Sequence, residues 1–353
     1  MRIECPNCKK GYIIPDEIII GKNIDALRCP NCSVKIKFDS QPSPMQSKLT
    51  VKSSAIKNTQ QKKQVQSATS ETQPLKKEHL TKRILQTVKD LPAMPQVVLK
   101  AQEIMADSSS DVNEIARLIE TEPAIATKVL KLANSAFYGL SGKVTSIKHA
   151  SVILGYKNLR QIISIASFST FLGKSLPGYG FESDDFWKHC LAVALSSKTI
   201  AEKKNPSLEN EAHAAGLIHD VGKVVLEPYV LKNKKKFDTF LENENETFVN
   251  AEKQIFGLDH AEIASEICKR WNIPQAITFS IKYHHSPSFS KGDFLSHILH
   301  VADYIAIKCG IGYDSDDVLY QLEDGTMDYL GIRTEDISDI MSIVIESTAK
   351  LAL

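Results

Sequence analysis

Two pairs of cysteines near the start of the chain have the spacing of a metal site. Cys5-Pro6-Asn7-Cys8 and Cys29-Pro30-Asn31-Cys32 form the pattern C-x2-C-x20-C-x2-C. Each Cys-Pro-x-Cys turn can aim two thiolates at one tetrahedral ion. Two disulfides are the alternative, but three further scattered cysteines and the lack of a signal-peptide pattern disfavour it. We therefore expect Cys5, Cys8, Cys29 and Cys32 to hold a structural zinc ion that stabilises a unit too small for a sizeable core.

A second set of candidate ligands lies between residues 189 and 303. His219-Asp220 interrupts the apolar stretch Ala214–Lys223, and such polar groups are costly to bury unless they bind each other or a metal. A hydrogen-bonded core pair would explain an isolated His-Asp dipeptide. Further histidines and an aspartate extend the series to H…HD…H…HH…D, an order suited to a one-metal or two-metal site. Its members are His189, His219, Asp220, His260, His284, His285 and Asp303. Imidazoles with carboxylates suit Fe, Mn, Zn or similar divalent ions.

From about Leu80 to residue 310 the sequence resembles the HDOD family, the output-domain branch of the HD metal-dependent phosphohydrolase superfamily. The matching stretches are Leu91-Pro92-Ala93-Met94-Pro95, Glu122-Pro123-Ala124, Leu132-Ala133-Asn134-Ser135-Ala136-Phe137-Tyr138, Leu154-Gly155 and Gly216-Leu217-Ile218-His219-Asp220-Val221-Gly222-Lys223. The resemblance implies a bacterial, helical and usually regulatory protein. Many members of the family have lost metal ligands, whereas this sequence keeps them.

The resemblance also implies roles for the ligand series. The residues implied for a first metal are His189, His219, Asp220 and Asp303, and those for a second metal are His260, His284 and His285, with Asp220 bridging. Asp185 matches an extra acidic ligand of some superfamily members, with a solvated helix carboxylate as the alternative. Lys223 matches a lysine that contacts phosphate in the cyclic-dinucleotide phosphodiesterases, with a surface lysine as the alternative.

One departure from those phosphodiesterases bears on the substrate. They follow their paired histidines with a Gly-Tyr-Pro loop that helps to bind the dinucleotide. In this chain His285 is followed by Ser286-Pro287-Ser288-Phe289. We therefore do not expect hydrolysis of cyclic di-GMP.

Other histidines outside the series have simpler interpretations. His297 and His300 lie one helical turn apart, and we assign them to packing or solvent. For His149, His213 and Cys268 the sequence identifies no partner. Asn134-Ser135 is expected to cap a helix end and fix a turn.

The elements that must position these groups are mostly helices. Apolar residues recur with helical spacing after residue 79, which predicts an all-α domain. Helices are predicted from Asp111 (an N-cap), from Pro123 to about Ala133, and over five further stretches. These stretches are Asp184–Lys204, Asn210–Leu226, Asp259–Trp271, Asp293–Ile307 and Glu335–Ala352.

The two candidate metal sites are separated by a segment that lacks core residues. Residues 40–78 are rich in Ser, Gln, Thr and Lys and contain no aromatic residue, so they predict a flexible, disordered linker. We expect a small β zinc ribbon over 1–39, with strands in Tyr12–Pro15 and Ile18–Gly21. An all-α HD/HDOD domain is expected over 79–353, with its HD-type metal core at about 180–310.

Charge and hydropathy limit the partners and the location. Residues 1–39 carry seven basic and five acidic side chains, and residues 40–78 carry seven basic and two acidic ones, so the helical domain is acidic within a chain of net charge +1. An acidic domain is not expected to bind nucleic acid. No apolar run approaches the roughly 20 residues of a membrane span. We expect a cytoplasmic protein.

Three functions are consistent with the sequence. We favour a signal-transduction protein that acts through protein partners and whose metal is structural or vestigial. A metal-dependent phosphohydrolase of a phosphoester or nucleotide is the alternative, because the ligand set is intact. A transcriptional regulator that uses the zinc ribbon for nucleic-acid contact is the third.

Overall fold

The described parts of the chain include short pieces of the N-terminal region and most of the helical domain. The computed structural model describes residues 2–4, 11–13, 26–28, 35–37, 72–91, 100–101, 104, 112–140, 142–182, 184–242, 246–312 and 320–351. The four ribbon cysteines, Asp111 and residues 40–71 lie outside these ranges. The zinc site and the disorder of the linker therefore stay predictions.

Four short strands form two antiparallel pairs in the N-terminal region. β1 (Arg2–Glu4) pairs with β2 (Gly11–Ile13), and β3 (Ala26–Arg28) pairs with β4 (Lys35–Lys37). In the sequence, each connection contains one Cys-Pro-x-Cys stretch. Tyr12 and Ile13, which the sequence predicts in a strand, lie in β2, whereas Ile18–Gly21 lies outside the described residues.

Helices dominate the rest of the described chain, as the sequence predicts. They are α1 (Thr72–Asp90), α2 (Val112–Glu120), α3 (Pro123–Ala133), α4 (Ile147–Leu172), α5 (Asp185–Lys204), α6 (Glu209–Ile218), α7 (Gly222–Lys232), α8 (Lys234–Leu241), α9 (Phe248–Phe256), α10 (His260–Arg270), α11 (Gln275–Tyr283), α12 (Phe294–Lys308), α13 (Thr326–Leu330) and α14 (Thr334–Leu351). Within the described residues, no helix is long and apolar enough to cross a membrane.

The single helix predicted over Asn210–Leu226 is wrong. α6 ends at Ile218 and α7 begins at Gly222, with a turn at residues 219–221. In this turn Val221 N donates to Ile218 O and Lys223 N donates to Asp220 O. Each amide thus bonds to the carbonyl three residues earlier, whereas an α-helix bonds to the carbonyl four residues earlier. The backbone keeps helical dihedrals at His219 and Val221, so this is a tight turn between two helices that carries the His-Asp pair.

Helix α1 begins within the segment that the sequence assigns to the linker. α1 starts at Thr72, so the last residues assigned to the linker are helical. The helix packs on the domain through Ile84 and Val88, which are buried, and Thr81 Oγ1 donates to Phe256 O at 2.5 Å. The composition of residues 40–78 misses this boundary because the apolar positions that anchor α1 follow residue 79.

Helices α5, α6 and α12 lie at the centre of the domain. α5 is buried over most of its length, including Ser196 and Ser197, as expected of a helix that packs on several sides. At Gly216 of α6 an added Cβ would lie 2.8 Å from the backbone of Val193 and Ala194 on α5. Only glycine permits this close approach, which brings the C-terminal end of α6 against α5.

Candidate metal centre

Three helices and two turns bring the seven predicted ligands of the helical domain together. We call this group the candidate metal centre. His189 lies on α5, His260 begins α10, and Asp303 lies on α12. The α6–α7 turn holds His219 and Asp220, and the turn after α11 holds His284 and His285.

A second glycine controls the approach of α10. At Gly222, a Cβ would clash with the carbonyl oxygen of His260 and lie 2.9 Å from Ala264 N. Because the backbones of α7 and α10 touch here, His260 can reach Asp220. The Asp259 side chain caps α10 by accepting from Glu262 N at 2.7 Å, which fixes the start of the helix and therefore the position of His260.

One side of the centre, the first subsite, contains His189, His219, Asp220 and Asp303. His189 Nε2 lies 3.2 Å from Asp303 Oδ1 and 3.6 Å from Asp220 Oδ2. His219 Nε2 lies 3.4 Å from Asp220 Oδ2 and 3.8 Å from Asp303 Oδ1. All four side chains are buried. The ligand atoms of His189, His219 and Asp220 lie within 4.8 Å of one another, close enough to share one ion.

The other side, the second subsite, contains Asp220, His260, His284 and His285. His260 Nε2 lies 3.0 Å from Asp220 Oδ1 and 2.7 Å from His285 Nε2. His284 Nε2 lies 3.8 Å from the same Asp220 oxygen. Asp220 therefore turns one oxygen to each subsite. His284 also groups with His219 and Asp303 within 4.8 Å, so it borders both subsites.

Hydrogen bonds orient three of the histidine rings. Nδ1 of His219 donates to Gly216 O at 2.8 Å, Nδ1 of His284 donates to Ile281 O at 2.6 Å, and Nδ1 of His260 donates to the Glu252 carboxylate at 2.7 Å. Because a carbonyl or carboxylate oxygen can only accept, these contacts place the proton on Nδ1 and direct Nε2 into the cluster.

The buried nitrogens fit a cation. Nε2 of His219 and Nε2 of His284 have no hydrogen-bond partner among the described residues. A buried polar atom without a partner costs about 1–3 kcal/mol. The donor set of imidazoles and carboxylates suits a divalent transition metal. The residues present therefore fit one or two such ions.

Burial and nearby charges favour the metal-binding protonation state of most of these groups. That state is the ionised form for a carboxyl group and the neutral form for an imidazole ring. Burial opposes ionisation of Asp220, but nearby His219 and Lys223 outweigh it and hold the pKa of that carboxyl well below its usual range. Burial, opposed by Asp220 and Asp303, lowers the pKa of His284 to about 3, so its ring is neutral. His260 differs. Burial disfavours its charge, yet the Glu252 and Asp220 carboxylates raise its pKa to about 10. A metal that binds there displaces a proton.

Lys223 contacts a candidate ligand, whereas Asp185 lies outside the group of clustered ligands. Lys223 is buried, which excludes the surface lysine considered from the sequence, and its Nζ lies 2.5 Å from Asp220 Oδ2. Asp185 lies one turn before His189, where its carboxylate is 3.4 Å from Lys188 Nζ. It is buried and is not among the clustered ligand groups of the described residues.

A cavity of about 200 Å³ lies beside the second subsite. Its polar wall includes Lys223, His260, His285 and Asp303. Phe248, Ile307 and Tyr320 supply apolar surface. His285 is half-buried, so the centre is not sealed from solvent. The volume is below the roughly 300 Å³ of small ligand pockets and suits one phosphate-sized part of a ligand.

Some residues around the centre were not predicted from the sequence. Glu252, which binds the His260 ring, and Tyr179, which binds Glu252, are both buried. The acidic residue on the buried face of α9, shortly before His260, was an available signal for Glu252. Tyr179, in the 3-10 turn Pro177–Tyr179, has no comparable sequence signal.

His297 and His300 are packing residues, as expected. The ring of His297 stacks against Tyr329 at 4.4 Å. His300 Nδ1 donates to His284 O at 2.8 Å, and its Nε2 accepts from Glu323 N at 2.9 Å. Both ring nitrogens of His300 are therefore used, and it supports the turn that carries His284.

Comparisons with known proteins agree with this architecture. A family model described as the HDOD domain matches residues 91–287, and a zinc-ribbon domain model matches residues 1–37. The chain belongs to the HDOD family. An uncharacterized protein of Treponema pallidum (strain Nichols) is 24% identical to this HDOD protein over 208 residues, 59% of the chain. The chain matches only 40% of the length of that relative.

Solved structures share the fold of this HDOD protein. An HDOD domain protein of unknown function from Geobacter sulfurreducens has a TM-score of 0.64 at 24% identity, covering 79% of this chain and 99% of its own. A protein of Shewanella amazonensis, provisionally described as a phosphohydrolase, has a TM-score of 0.60 at 22% identity, with 76% and 98% covered. A protein of Marinobacter aquaeolei, provisionally described as acting in signal transduction, has a TM-score of 0.63 at 18% identity, with 78% and 63% covered.

Proposed function

We propose that this HDOD protein acts in signal transduction, and that its helical domain binds one or two divalent ions at the candidate metal centre and hydrolyses a phosphoester there. The observation that carries the proposal is the convergence of all seven predicted ligands beside a cavity. Nε2 of His219 and Nε2 of His284 face the cluster and have no hydrogen-bond partner among the described residues. Asp220 lies between the subsites, which supports its bridging role.

The side chains around the cavity suit a phosphate group. A divalent ion bound at the centre would activate water and neutralise phosphate charge as a Lewis acid. Lys223 supplies a buried ammonium beside Asp220 and lines the cavity, where it can contact a phosphate oxygen. Phe248 and Ile307 reduce the access of bulk water. After His285 the chain enters the 3-10 turn Pro287–Ser290 in place of a Gly-Tyr-Pro loop. We infer a phosphoester or nucleotide substrate other than cyclic di-GMP.

The zinc ribbon is assigned a separate role. We propose that Cys5, Cys8, Cys29 and Cys32 hold one structural zinc ion, because four thiolates close its coordination. The match of residues 1–37 to a zinc-ribbon domain supports this assignment. We further propose that the ribbon contacts a protein partner in the cytoplasm.

Signalling through contacts alone is the second candidate function. Helices α2–α4 carry the family stretches around Pro123, Asn134 and Gly155, yet they supply none of the seven ligands. Asn134 there fixes a turn, since its side chain donates to Leu130 O and Val144 O and accepts from Val144 N. Helices α2–α4 thus carry family stretches without supplying a ligand. We propose that their role is to contact a signalling partner.

A metal assay and a phosphoester screen decide between the two functions. Full-length protein is purified without oxygen in the presence of Mn or Fe, and its metal content and hydrolysis of a phosphoester panel are measured. His219→Ala/Asp220→Ala should lose the Mn or Fe and the hydrolysis but keep the ribbon zinc, whereas His149→Ala, at an exposed histidine of α4, should keep all three. Metal without any turnover in the native protein would support contact signalling. Absence of metal from the native helical domain would refute the metal centre.

A further inference from the structure

Glu252 is a buried carboxylate that uses both oxygens in hydrogen bonds. It lies on α9 and has no solvent exposure. Its Oε2 accepts from His260 N at 2.8 Å and from His260 Nδ1 at 2.7 Å. Its Oε1 accepts from the Tyr179 hydroxyl at 2.7 Å. A buried carboxylate is costly unless such bonds compensate it, and two of the three come from His260.

The two bonds to His260 fix its ring. The backbone bond ties Glu252 to the first residue of α10, and the ring bond sets which nitrogen carries the proton. With Nδ1 committed to Glu252, Nε2 is directed to the second subsite, where it lies 3.0 Å from Asp220 Oδ1. The ring direction therefore depends on α9 as well as on α10.

Tyr179 extends this arrangement away from the centre. Its ring packs edge-on against Phe237 at 5.9 Å and against Phe248 at 5.7 Å, which holds its hydroxyl on Glu252. The series Tyr179–Glu252–His260 thus joins the Pro177–Tyr179 turn to the second subsite. Of these three residues, His260 alone is a candidate ligand.

We propose that Glu252 is a positioning residue that sets the metal affinity of the second subsite through His260. This inference rests on the proposed metal centre. Carboxylates that orient a ligating histidine typically contribute about tenfold to hundredfold in metal affinity. The first subsite lacks His260, so its affinity does not depend on Glu252. Loss of Glu252 should convert a two-metal centre into a one-metal centre.

Metal titration of full-length variants tests the inference. Glu252→Gln keeps an oxygen for His260 but loses the negative charge, and we expect Mn²⁺ affinity at the weaker site to fall about tenfold. Glu252→Ala removes both bonds and should lower it about a hundredfold. Glu227→Gln is the matched control. Glu227 is also a largely buried carboxylate, but it binds the backbone of Gly178 (2.8 Å) and of Tyr179, so it controls for loosening of the Pro177–Tyr179 turn while the Glu252 carboxylate stays in place.

The readouts are the number of bound ions, their affinities and the unfolding midpoint of the metal-free protein. The inference is supported if the affinity for the second-subsite ion falls about tenfold in Glu252→Gln, while Glu227→Gln binds both ions with native affinity. Equal stoichiometry and affinity in Glu252→Gln and the native protein would overturn it and leave the metal centre intact. A native protein without metal would instead overturn the proposed function. If Glu252→Ala does not fold, Glu252→Gln and Tyr179→Phe, which keeps the carboxylate and removes only the hydroxyl, still decide the question.

Discussion

Replacing Gly222 with alanine tests whether the contact between α7 and α10 assembles the candidate metal centre. The new methyl group would clash with His260 O and lie 2.9 Å from Ala264 N, where ordinary contact begins at 3.4 Å. Both neighbours are backbone atoms, so no side-chain rotation relieves the overlap. α10 must therefore move by about half an ångström or more, and His260 moves with it. Overpacking of this kind costs about 1–3 kcal/mol, more than the roughly 1 kcal/mol that alanine gains over glycine in a helix.

Urea unfolding and metal titration measure the two consequences separately. We expect Gly222→Ala to lower the free energy of unfolding by up to about 2 kcal/mol net of the helix gain and to weaken metal binding at the second subsite. Gly142→Ala is the control, because no atom lies within 4 Å of the position that its methyl group would take and its φ is not left-handed. Its stability should change by less than about 0.5 kcal/mol. An identical urea midpoint and metal content in the two variants would refute the reasoning.

Three further changes test other parts of the molecule. Cys29→Ser should remove one zinc from full-length protein and leave the thermal transition of the helical domain unchanged; zinc retention by this variant would argue against the ribbon site. Lys223→Ala should slow phosphoester hydrolysis at least about tenfold without loss of metal, since a protonated ammonium cannot ligate; an unchanged rate would remove Lys223 from the proposed mechanism. Burial lowers the pKa of His213 to about 3 from 6.5, so its neutral form stabilises the fold above pH 6.5 and that stabilisation is lost as pH falls towards 3. About 2 kcal/mol should be lost by pH 5, and His213→Gln should flatten this part of the urea-derived stability profile; an unaltered profile would contradict the assignment.

The sequence predicts the ligands better than the backbone that carries them. His189, His260 and Asp303 can be placed on helices because apolar spacing and the Asp259 cap are local signals. The break at His219–Val221 is not placed by apolar spacing, since the residues around it are mostly apolar, and the flanking Gly216 and Gly222 were the available local signal. Tertiary contacts accompany the break: Gly216 packs on α5 before it and Gly222 packs on α10 after it.

The residues around the candidate ligands are also hard to assign from the sequence. The order of the histidines and aspartates predicts which groups meet, but the role of Glu252 depends on how α9 lies against α10, which sequence spacing does not determine. Sequence alone does not decide between a phosphate contact and a surface position for Lys223, because its burial beside Asp220 is a property of the α6–α7 turn. Asp185 has the right spacing from His189, yet its carboxylate faces Lys188.

The ligands of the candidate metal centre are dispersed from His189 on α5 to Asp303 on α12, and this has a consequence for the life of the protein in the cell. A nascent chain lacks the complete site until residue 303 has left the ribosome, so an ion cannot assist the folding of its earlier helices through the full ligand set. Once the domain is complete, an ion that binds only the folded form stabilises it in proportion to the logarithm of the free metal concentration. Metal scarcity would then raise the unfolded fraction available to proteases, and the abundance of the protein would follow the metal supply.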